Sequence, residues 1–207
     1  MGSCFMEQSC ADFAAQVAAK TSIPCGGSAV AYVGALAAAL ASVVSNFTIG
    51  KKKYAQYEED VLRLLDESEA VRERLVQLVD EDAQAFCPLS QAYGIPKEDP
   101  GRQDALECAT KGAIVAPLEM MRQIARSIEV LEELLVKGSR LFISDVGCGT
   151  LLATAALRAA AMNVFINTKS LVDREYAAAI DAECDELLSY VERAEAVSQE
   201  VMAQLRA

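Results

Sequence analysis

One acidic residue interrupts an apolar helical stripe in the middle of the chain. Apolar side chains recur there at steps of three and four, and Asp82 falls on the stripe between Leu78 and Phe86. This spacing places side chains on one face of a helix, so the carboxyl group points toward the core. Burial is costly for a carboxylate and raises its pKa, as a general acid or base requires. Asp82 is therefore a candidate catalytic residue; it could instead bond to a neighbouring helix or lysine, or lie at a wet edge.

The chain of 207 residues contains no histidine. This excludes imidazole metal ligands and every nucleophile that histidine activates, so proton transfer must use a carboxyl, amine, phenol or thiol group. The cysteines are odd in number and form no C-x-x-C pair, and we find no signal peptide, so we expect a reduced, cytoplasmic protein. They are Cys4, Cys10, Cys25, Cys87, Cys108, Cys148 and Cys184.

Polar residues near the end of the fifth predicted helix could bind a ligand. Asn163 and Asn167 lie one turn apart on an inner face, where amides must find hydrogen bonds. They either form hydrogen bonds to a neighbouring helix or form hydrogen bonds with the donors and acceptors of a ligand's ring. Asp145 suits the start of a helix, and that is its default role.

A glycine turn opens residues 21–50, a segment without a charged side chain. The turn ends in Gly26, Gly27 and Ser28, and it exposes helix N–H groups that suit an anion or a polar ring. It lacks the G-x-x-x-x-G-K-[ST] pattern of a phosphate loop. The uncharged segment is long enough to span a bilayer, but it is mostly Ala, Gly and Ser, and the other helices are amphipathic. We favour a buried, Ala-rich central helix of a soluble bundle.

A basic triplet follows this segment, formed by Lys51, Lys52 and Lys53 beside Tyr54. The chain has a net charge of −11, which argues against nucleic acid as a partner because a phosphate backbone requires a basic face. The lysines are either a solvated helix start or a local site that captures carboxylates. Tyr54 could supply a stacking surface.

Helical periodicity runs through almost the whole chain, and strand signals are nearly absent. We predict an all-α fold: a single domain over residues 1–207, built as a bundle of about six helices, several of them long. Ser9 caps the first helix, Pro117 kinks or divides the fourth, and Gly138 stops it. The predicted helices cover residues 10–19, 28–47, 54–93, 102–136, 144–167 and 171–205.

Four segments in order resemble the cyclodeaminase/cyclohydrolase family, which includes the cyclodeaminase domain of formimidoyltransferase-cyclodeaminase and bacterial methenyltetrahydrofolate cyclohydrolases. The segments are TSIPCGGSAVAYVGALAAALASVVSNFTIGKKKY, LVDEDAQAF, SDVG and NVFIN, the last followed by Asp173. The resemblance covers nearly the whole chain and implies a helical, homodimeric, folate-dependent one-carbon enzyme. Many members carry a third glycine where this chain has Cys25, a departure that bears on substrate preference more than on fold.

The resemblance also implies roles for individual residues. The family's proposed catalytic aspartate aligns with Asp82, its basic pair with Lys51 and Lys52, and its glycine signature with residues 26–28. We therefore expect the turn to border a folate pocket and the lysines to lie at its mouth, where they hold the glutamate carboxylates of a folate, including a polyglutamylated one. The residues expected to contact the folate rings are Asp145, Asn163 and Asn167. We expect no metal and no cofactor beyond the tetrahydrofolate substrate.

Two reactions fit the resemblance. In the cyclohydrolase reaction, water attacks the 5,10-methenyltetrahydrofolate cation and gives 10-formyltetrahydrofolate. In the cyclodeaminase reaction, N10 of 5-formimidoyltetrahydrofolate attacks the amidine carbon and ammonia leaves. We favour the cyclohydrolase, because the domain has no formimidoyltransferase partner and the supply of the formimidoyl substrate is therefore less assured. The sequence also leaves room for a non-catalytic folate-binding protein and, third, for a membrane-associated helix.

Overall fold

The computed structural model describes residues 5–207; Cys4 lies outside the described residues. Residues 5–207 form helices and contain no β-strand, so the all-α prediction is confirmed. The α-helices are α1 (Cys10–Val17), α2 (Gly26–Asn46), α3 (Glu58–Tyr93), α4 (Arg102–Lys137), α5 (Ile143–Thr168), α6 (Arg174–Leu188) and α7 (Tyr190–Arg206). Short 3-10 helices cover Phe5–Glu7, Lys52–Tyr57 and Arg140–Phe142.

The observed helix ends differ from the predicted ones where local bonds compete with the helix. The sixth predicted helix is divided at Ser189, whose Oγ donates to the Glu186 carbonyl at 2.6 Å and offers the backbone an alternative to the helical pattern. Pro117 does not divide α4: it is buried, and packing of the flanking turns outweighs the backbone hydrogen bond lost at proline. Ser9 caps α1 as predicted, since its Oγ accepts from the Asp12 N–H at 3.1 Å.

α2 is the buried central helix that the sequence predicts. It packs against α3, α4 and α5, and its small side chains let these neighbours approach closely. At Gly34 an added Cβ would lie 3.0 Å from Ile124 Cγ1 of α4, and at Gly149 of α5 it would lie 3.4 Å from the Ala37 carbonyl oxygen. Alanine and glycine are therefore the residues that this packing distance requires.

α2 and α5 run antiparallel, and each leaves one uncharged side outside the bundle. The start of α2 meets the end of α5 at Gly26 and Asn163, and the end of α2 meets the start of α5, where the Phe47 and Phe142 rings stack at 4.2 Å. We call the two exposed stripes together the uncharged face. Its residues are Ala29, Val33, Leu36, Leu40 and Val43 of α2 with the C-cap residue Phe47, and Cys148, Leu151, Ala155, Ala159, Met162 and Ile166 of α5.

Two segments are long and apolar enough to cross a membrane by length and composition, namely Gly26–Asn46 and Arg140–Thr168. Both are also packed helices, because 56% and 44% of their most apolar windows are buried within the fold. Each is thus a core helix with one side left uncovered.

Candidate active site

Asp82 is buried on the stripe of α3 where the sequence places it, with 9% of its surface exposed. Its Oδ2 accepts a hydrogen bond from Ser28 Oγ at 3.2 Å and lies 3.9 Å from Cys25 Sγ. Burial raises the pKa of Asp82 above its ordinary value, and hydrogen bonds from Ser28 and Cys25 offset only part of that rise. No lysine or arginine of residues 5–207 contributes to this pKa, so the structure does not support pairing of Asp82 with a lysine.

The glycine turn lies directly against the Asp82 carboxyl group. An added Cβ at Gly27 would lie 2.6 Å from Asp82 Cγ, closer than real Cβ atoms approach. Gly26 has more room, since its Cβ would meet Asn163 Oδ1 at 3.7 Å. The turn therefore brings the start of α2, the middle of α3 and the end of α5 together around one carboxyl group.

Asp82 faces a cavity of about 190 Å³ between the C-terminal parts of α3 and α5 and the interior of α4 around Ala113 and Pro117. Asn163 and Asn167 share this cavity, as predicted, and each Nδ2 donates to a carbonyl one turn back on α5, at 2.9 and 2.8 Å. Their Oδ1 atoms are left to accept hydrogen bonds from a ligand. The remaining walls come from Cys25, Phe86, Leu89, Tyr93, Ala113, Pro117 and Ile166. A mostly apolar pocket with a few directed polar groups is typical of a site for a flat organic molecule.

Tyr93 is a wall residue that sequence reasoning missed. It is the last residue of α3, 57% exposed, and it lines the cavity together with Phe86. The spacing of Asp82, Phe86, Leu89 and Tyr93 continues the predicted stripe by one more turn, so the signal was present in the sequence. Tyr93 stands at the boundary between the helix and the turn, where helical periodicity no longer determines the direction of a side chain.

The lysines and Tyr54 lie at the opposite end of α2 from Asp82. Lys51 Nζ donates to Ser139 Oγ at 3.2 Å, the Tyr54 hydroxyl accepts from the Arg140 N–H at 3.0 Å, and Lys52 is exposed. α2 has 21 residues and is about 30 Å long at 1.5 Å per residue. Within one chain the lysines therefore do not stand at the mouth of the Asp82 cavity, because a full helix separates them from it.

Asp145 and Asp173 have positions that local helix chemistry explains. Asp145 lies in the first turn of α5, where an acidic residue suits the start of a helix, and it does not line the Asp82 cavity. Asp173 caps α6, accepting from the Tyr176 N–H at 3.0 Å, and pairs with Lys111 at 2.7 Å. Within residues 5–207 no group of three or more Cys, Asp or Glu side chains is arranged to hold a metal ion. The polar residues that the fold collects around Asp82 are thus Cys25, Ser28, Asn163 and Asn167.

Comparisons with known proteins identify relatives of this chain. Methenyltetrahydrofolate cyclohydrolase of Methylorubrum extorquens is 41% identical over 165 residues, which are 78% of this chain and 79% of that protein. Formimidoyltransferase-cyclodeaminase of Mus musculus is 31% identical over 81% of this chain but only 32% of its own length. The chain thus spans about a third of that longer relative.

A solved structure shares the whole fold. The crystal structure of formiminotetrahydrofolate cyclodeaminase from Thermotoga maritima matches with a TM-score of 0.89 and 28% identity, covering 98% of this chain and 99% of that one. The family model described as formiminotransferase-cyclodeaminase matches residues 9–186, and this range includes the glycine turn, Asp82 and both asparagines. The chain therefore belongs to the formiminotransferase-cyclodeaminase family.

Proposed function

We propose that the chain is a tetrahydrofolate-dependent one-carbon enzyme, and that it acts as a methenyltetrahydrofolate cyclohydrolase. The observation that carries the proposal is a buried carboxyl group with a raised pKa, Asp82, at the end of a cavity with mostly apolar walls. The relative named for this reaction matches at 41% identity over most of both chains. The reaction is a hydrolysis that changes no oxidation state, so the proposal needs no redox cofactor, and it assigns no role to a metal.

Asp82 is the proton carrier in this proposal. Water attacks the carbon between N5 and N10 of the cation, a C–O bond forms, and the carboxylate accepts the proton that the water loses. The bond from that carbon to N5 then breaks, N5 gains a proton, and the hydroxyl loses one as the formyl group forms on N10. A positioned acid–base group contributes about 10²–10⁴-fold to such a rate. The ionised carboxylate also stabilises the positive charge of the substrate.

The cyclodeaminase reaction is the second candidate. It is supported by the whole-chain match to the Thermotoga maritima structure of that name. N10 attacks the formimidoyl carbon, and ammonia leaves after receiving a proton. Both reactions pass through a tetrahedral carbon with nitrogen leaving groups, so both can use the same carboxyl group.

A paired assay distinguishes these reactions. Purified protein is incubated separately with 5,10-methenyltetrahydrofolate and with 5-formimidoyltetrahydrofolate, and the absorbance of the methenyl chromophore is followed. We expect accelerated decay in the first incubation; growth in the second would establish the cyclodeaminase. Folate binding without turnover in either incubation would contradict the enzymatic proposal and favour a non-catalytic binding protein.

Tyr93 is expected to support a folate ring. Replacing Tyr93 by alanine should raise KM about tenfold with little change in kcat, because stacking on an aromatic side chain is worth about 1–3 kcal/mol. Tyr93→Phe keeps the ring and is the matched control, and its KM should stay near that of the native protein. Equal KM values for the alanine and phenylalanine variants would contradict a stacking role.

We also propose that the working unit is a homodimer formed through the uncharged face. A cavity of about 190 Å³ is smaller than the pockets of about 300–1,000 Å³ that usually hold molecules of this size. The uncharged face carries the Asp82 cavity at one end and the lysine cluster at the other. A two-fold axis through the middle of the uncharged face would place the lysines of each subunit against the Asp82 cavity of its partner. The lysines would then hold the glutamate tail, as the sequence motif implies.

Dimer formation is tested with Leu151, which is 58% exposed on the uncharged face. Leu151→Glu should give a monomer of low activity in analytical ultracentrifugation and assay, because an unpaired charge cannot be buried in an apolar contact. Val136→Glu, at a residue 68% exposed on α4, makes the same kind of change away from the face and should stay dimeric. The dimer would be contradicted if the native protein were monomeric and fully active. If the native protein could be recovered only with detergent or vesicles, the uncharged face would instead be a membrane-binding surface.

Sharing of the site between subunits is tested with mixed dimers. Asp82→Asn and Lys52→Glu chains are each expected to be impaired with a polyglutamylated folate at low concentration. Mixed subunits should regain about a quarter of native activity, because half of the dimers would be mixed and would carry one intact site of two. No gain on mixing would show that each chain builds its own site.

A further inference from the structure

Cys25 stands beside the Asp82 carboxyl group, and the proposed reaction gives it no role. It is the N-cap residue of α2, and it is half-buried in the wall of the cavity that Asp82 faces. Its Sγ lies 3.9 Å from Asp82 Oδ2, within reach of a hydrogen bond from sulfur. The thiol and the carboxyl group therefore meet at one edge of the site.

The thiol carries its proton at neutral pH. Burial and the negative charge of Asp82 both raise the pKa of Cys25 above its ordinary value, burial being the larger cause. A protonated thiol is a weak hydrogen-bond donor, and an ionised carboxylate can only accept. The contact is thus an S–H group that donates to Asp82 Oδ2 when the carboxyl group is ionised.

Ser28 has a different relation to Asp82. Its Oγ lies 3.2 Å from Asp82 Oδ2 and 3.0 Å from the Val79 carbonyl oxygen, yet a hydroxyl has a single proton to donate. When Asp82 is ionised, the hydroxyl donates to the carboxylate. When Asp82 is protonated, its O–H can donate to Ser28 Oγ while the hydroxyl donates to Val79. The Ser28 hydroxyl makes the larger of the two side-chain hydrogen bonds that favour the ionised form of Asp82, and the Cys25 S–H group makes the smaller one.

The other residues around the cavity add no charged neighbour of Asp82. Tyr93 of α3 is a titratable wall residue, and Ala113 and Pro117 of α4 are apolar. α5 contributes Ile166 and the two asparagines, which do not titrate. The Ser28 backbone N–H also favours the ionised form but is not removed by a side-chain change. Cys25 is thus, after Ser28, the second side chain in residues 5–207 whose hydrogen bond favours the ionised form of Asp82.

We propose that Cys25 is a positioning residue for Asp82: its S–H group, together with the Ser28 hydroxyl, stabilises the ionised carboxyl group and so extends toward lower pH the range in which Asp82 accepts a proton. The importance of this tuning for catalysis rests on the proposed role of Asp82 as the proton carrier. The contact itself is a property of the folded chain and does not depend on which folate reacts.

The test is a direct titration of Asp82 without substrate. The protein is labelled with ¹³Cγ-aspartate, the Asp82 resonance is assigned by its absence in Asp82→Asn, and its chemical shift is followed with pH. Cys25→Ala should raise the titration midpoint by about half a pH unit or more, because a hydrogen bond to the charged form is lost. Cys25→Ser keeps a donor and should return the midpoint toward the native value. Cys108→Ala, at an exposed cysteine, is the control and should leave the midpoint unchanged.

A midpoint in Cys25→Ala that coincides with the native one overturns the proposal. If that variant does not fold, the same coupling is measured from the thiol: the pH midpoint of Cys25 alkylation by iodoacetamide should fall in Asp82→Asn, and an unchanged midpoint overturns the proposal equally. Where the protein turns over folate, the acidic limb of its pH–rate profile should move with the NMR midpoint. A shifted midpoint without turnover would instead contradict the proposed function while leaving the positioning role of Cys25 in place.

Discussion

Replacing Asp82 by asparagine will lower turnover by about 10²–10⁴-fold, the usual contribution of a positioned acid–base group. Asparagine keeps the shape of the side chain and removes its ability to carry a proton at working pH. The measurement is kcat in the methenyltetrahydrofolate assay, with helix content checked by circular dichroism. Asp66→Asn makes the same change at an exposed position of α3 and should keep native kcat. Near-native turnover in Asp82→Asn would remove Asp82 from the mechanism.

The pKa shift of Asp82 also predicts how stability depends on pH. The folded state raises the pKa of Asp82, so it binds this proton more tightly than the unfolded chain does. The contribution of this group is therefore fully present below the unfolded pKa and is lost as pH rises through the folded pKa. The Asp82→Asn variant has no carboxyl group to ionise, so it avoids this loss of stability at high pH. At pH 7 its melting temperature should equal or exceed that of the native protein. A lower melting temperature would indicate a structural role for the carboxylate.

Replacing Gly27 by alanine should be nearly as damaging as removing Asp82. The added methyl group would occupy the space of the carboxyl group, 2.6 Å from Asp82 Cγ. That carboxyl group is the free end of a side chain, so it can rotate away and the helices can remain packed. We expect turnover to fall about 10²-fold or more, since a displacement of about 1 Å at a reacting group has an effect of that size. The melting temperature should change little.

Gly112→Ala is the matched control for this substitution. Gly112 lies inside α4, where an added Cβ meets nothing within 4 Å. Alanine there should keep native turnover and stabilise the helix by about 0.5–1 kcal/mol, because glycine loses more backbone freedom on folding. If Gly27→Ala keeps native turnover, the glycine turn does not position Asp82.

The stripe of α3 could be predicted because it depends on local periodicity. Asp82 and Phe86 fall on that stripe in the sequence, and both line the cavity in the structure. Asn163 and Asn167 fall on an inner face for the same reason, and they too reach the cavity. A repeat of three and four residues determines which way a side chain points, whatever the rest of the chain does.

The contacts between distant residues could not be predicted in this way. Nothing local indicates that Gly27 must lack a side chain because of Asp82, or that Cys25 lies beside the same carboxyl group. The family resemblance suggests that Lys51 is near the site, because Lys51 and Lys52 align with the family's basic pair. The intervening residues form one continuous helix, which converts a short sequence separation into about 30 Å of distance.

The Asp82 cavity is lined by the last turns of α3 and α5, where Tyr93 and Ile166 are exposed. The carbonyl groups at the end of α5 are already bonded, since Thr168 O accepts from the Arg174 guanidinium at 2.9 Å and Asn167 O accepts from Ser170 Oγ at 2.8 Å. The negative charge that faces the cavity is therefore that of Asp82 when its carboxyl group is ionised. In the proposed hydrolysis the incoming ring is positively charged and the outgoing formyl compound is not. An ionised Asp82 therefore attracts the reactant more strongly than the product, and the product leaves more easily because it carries no positive charge.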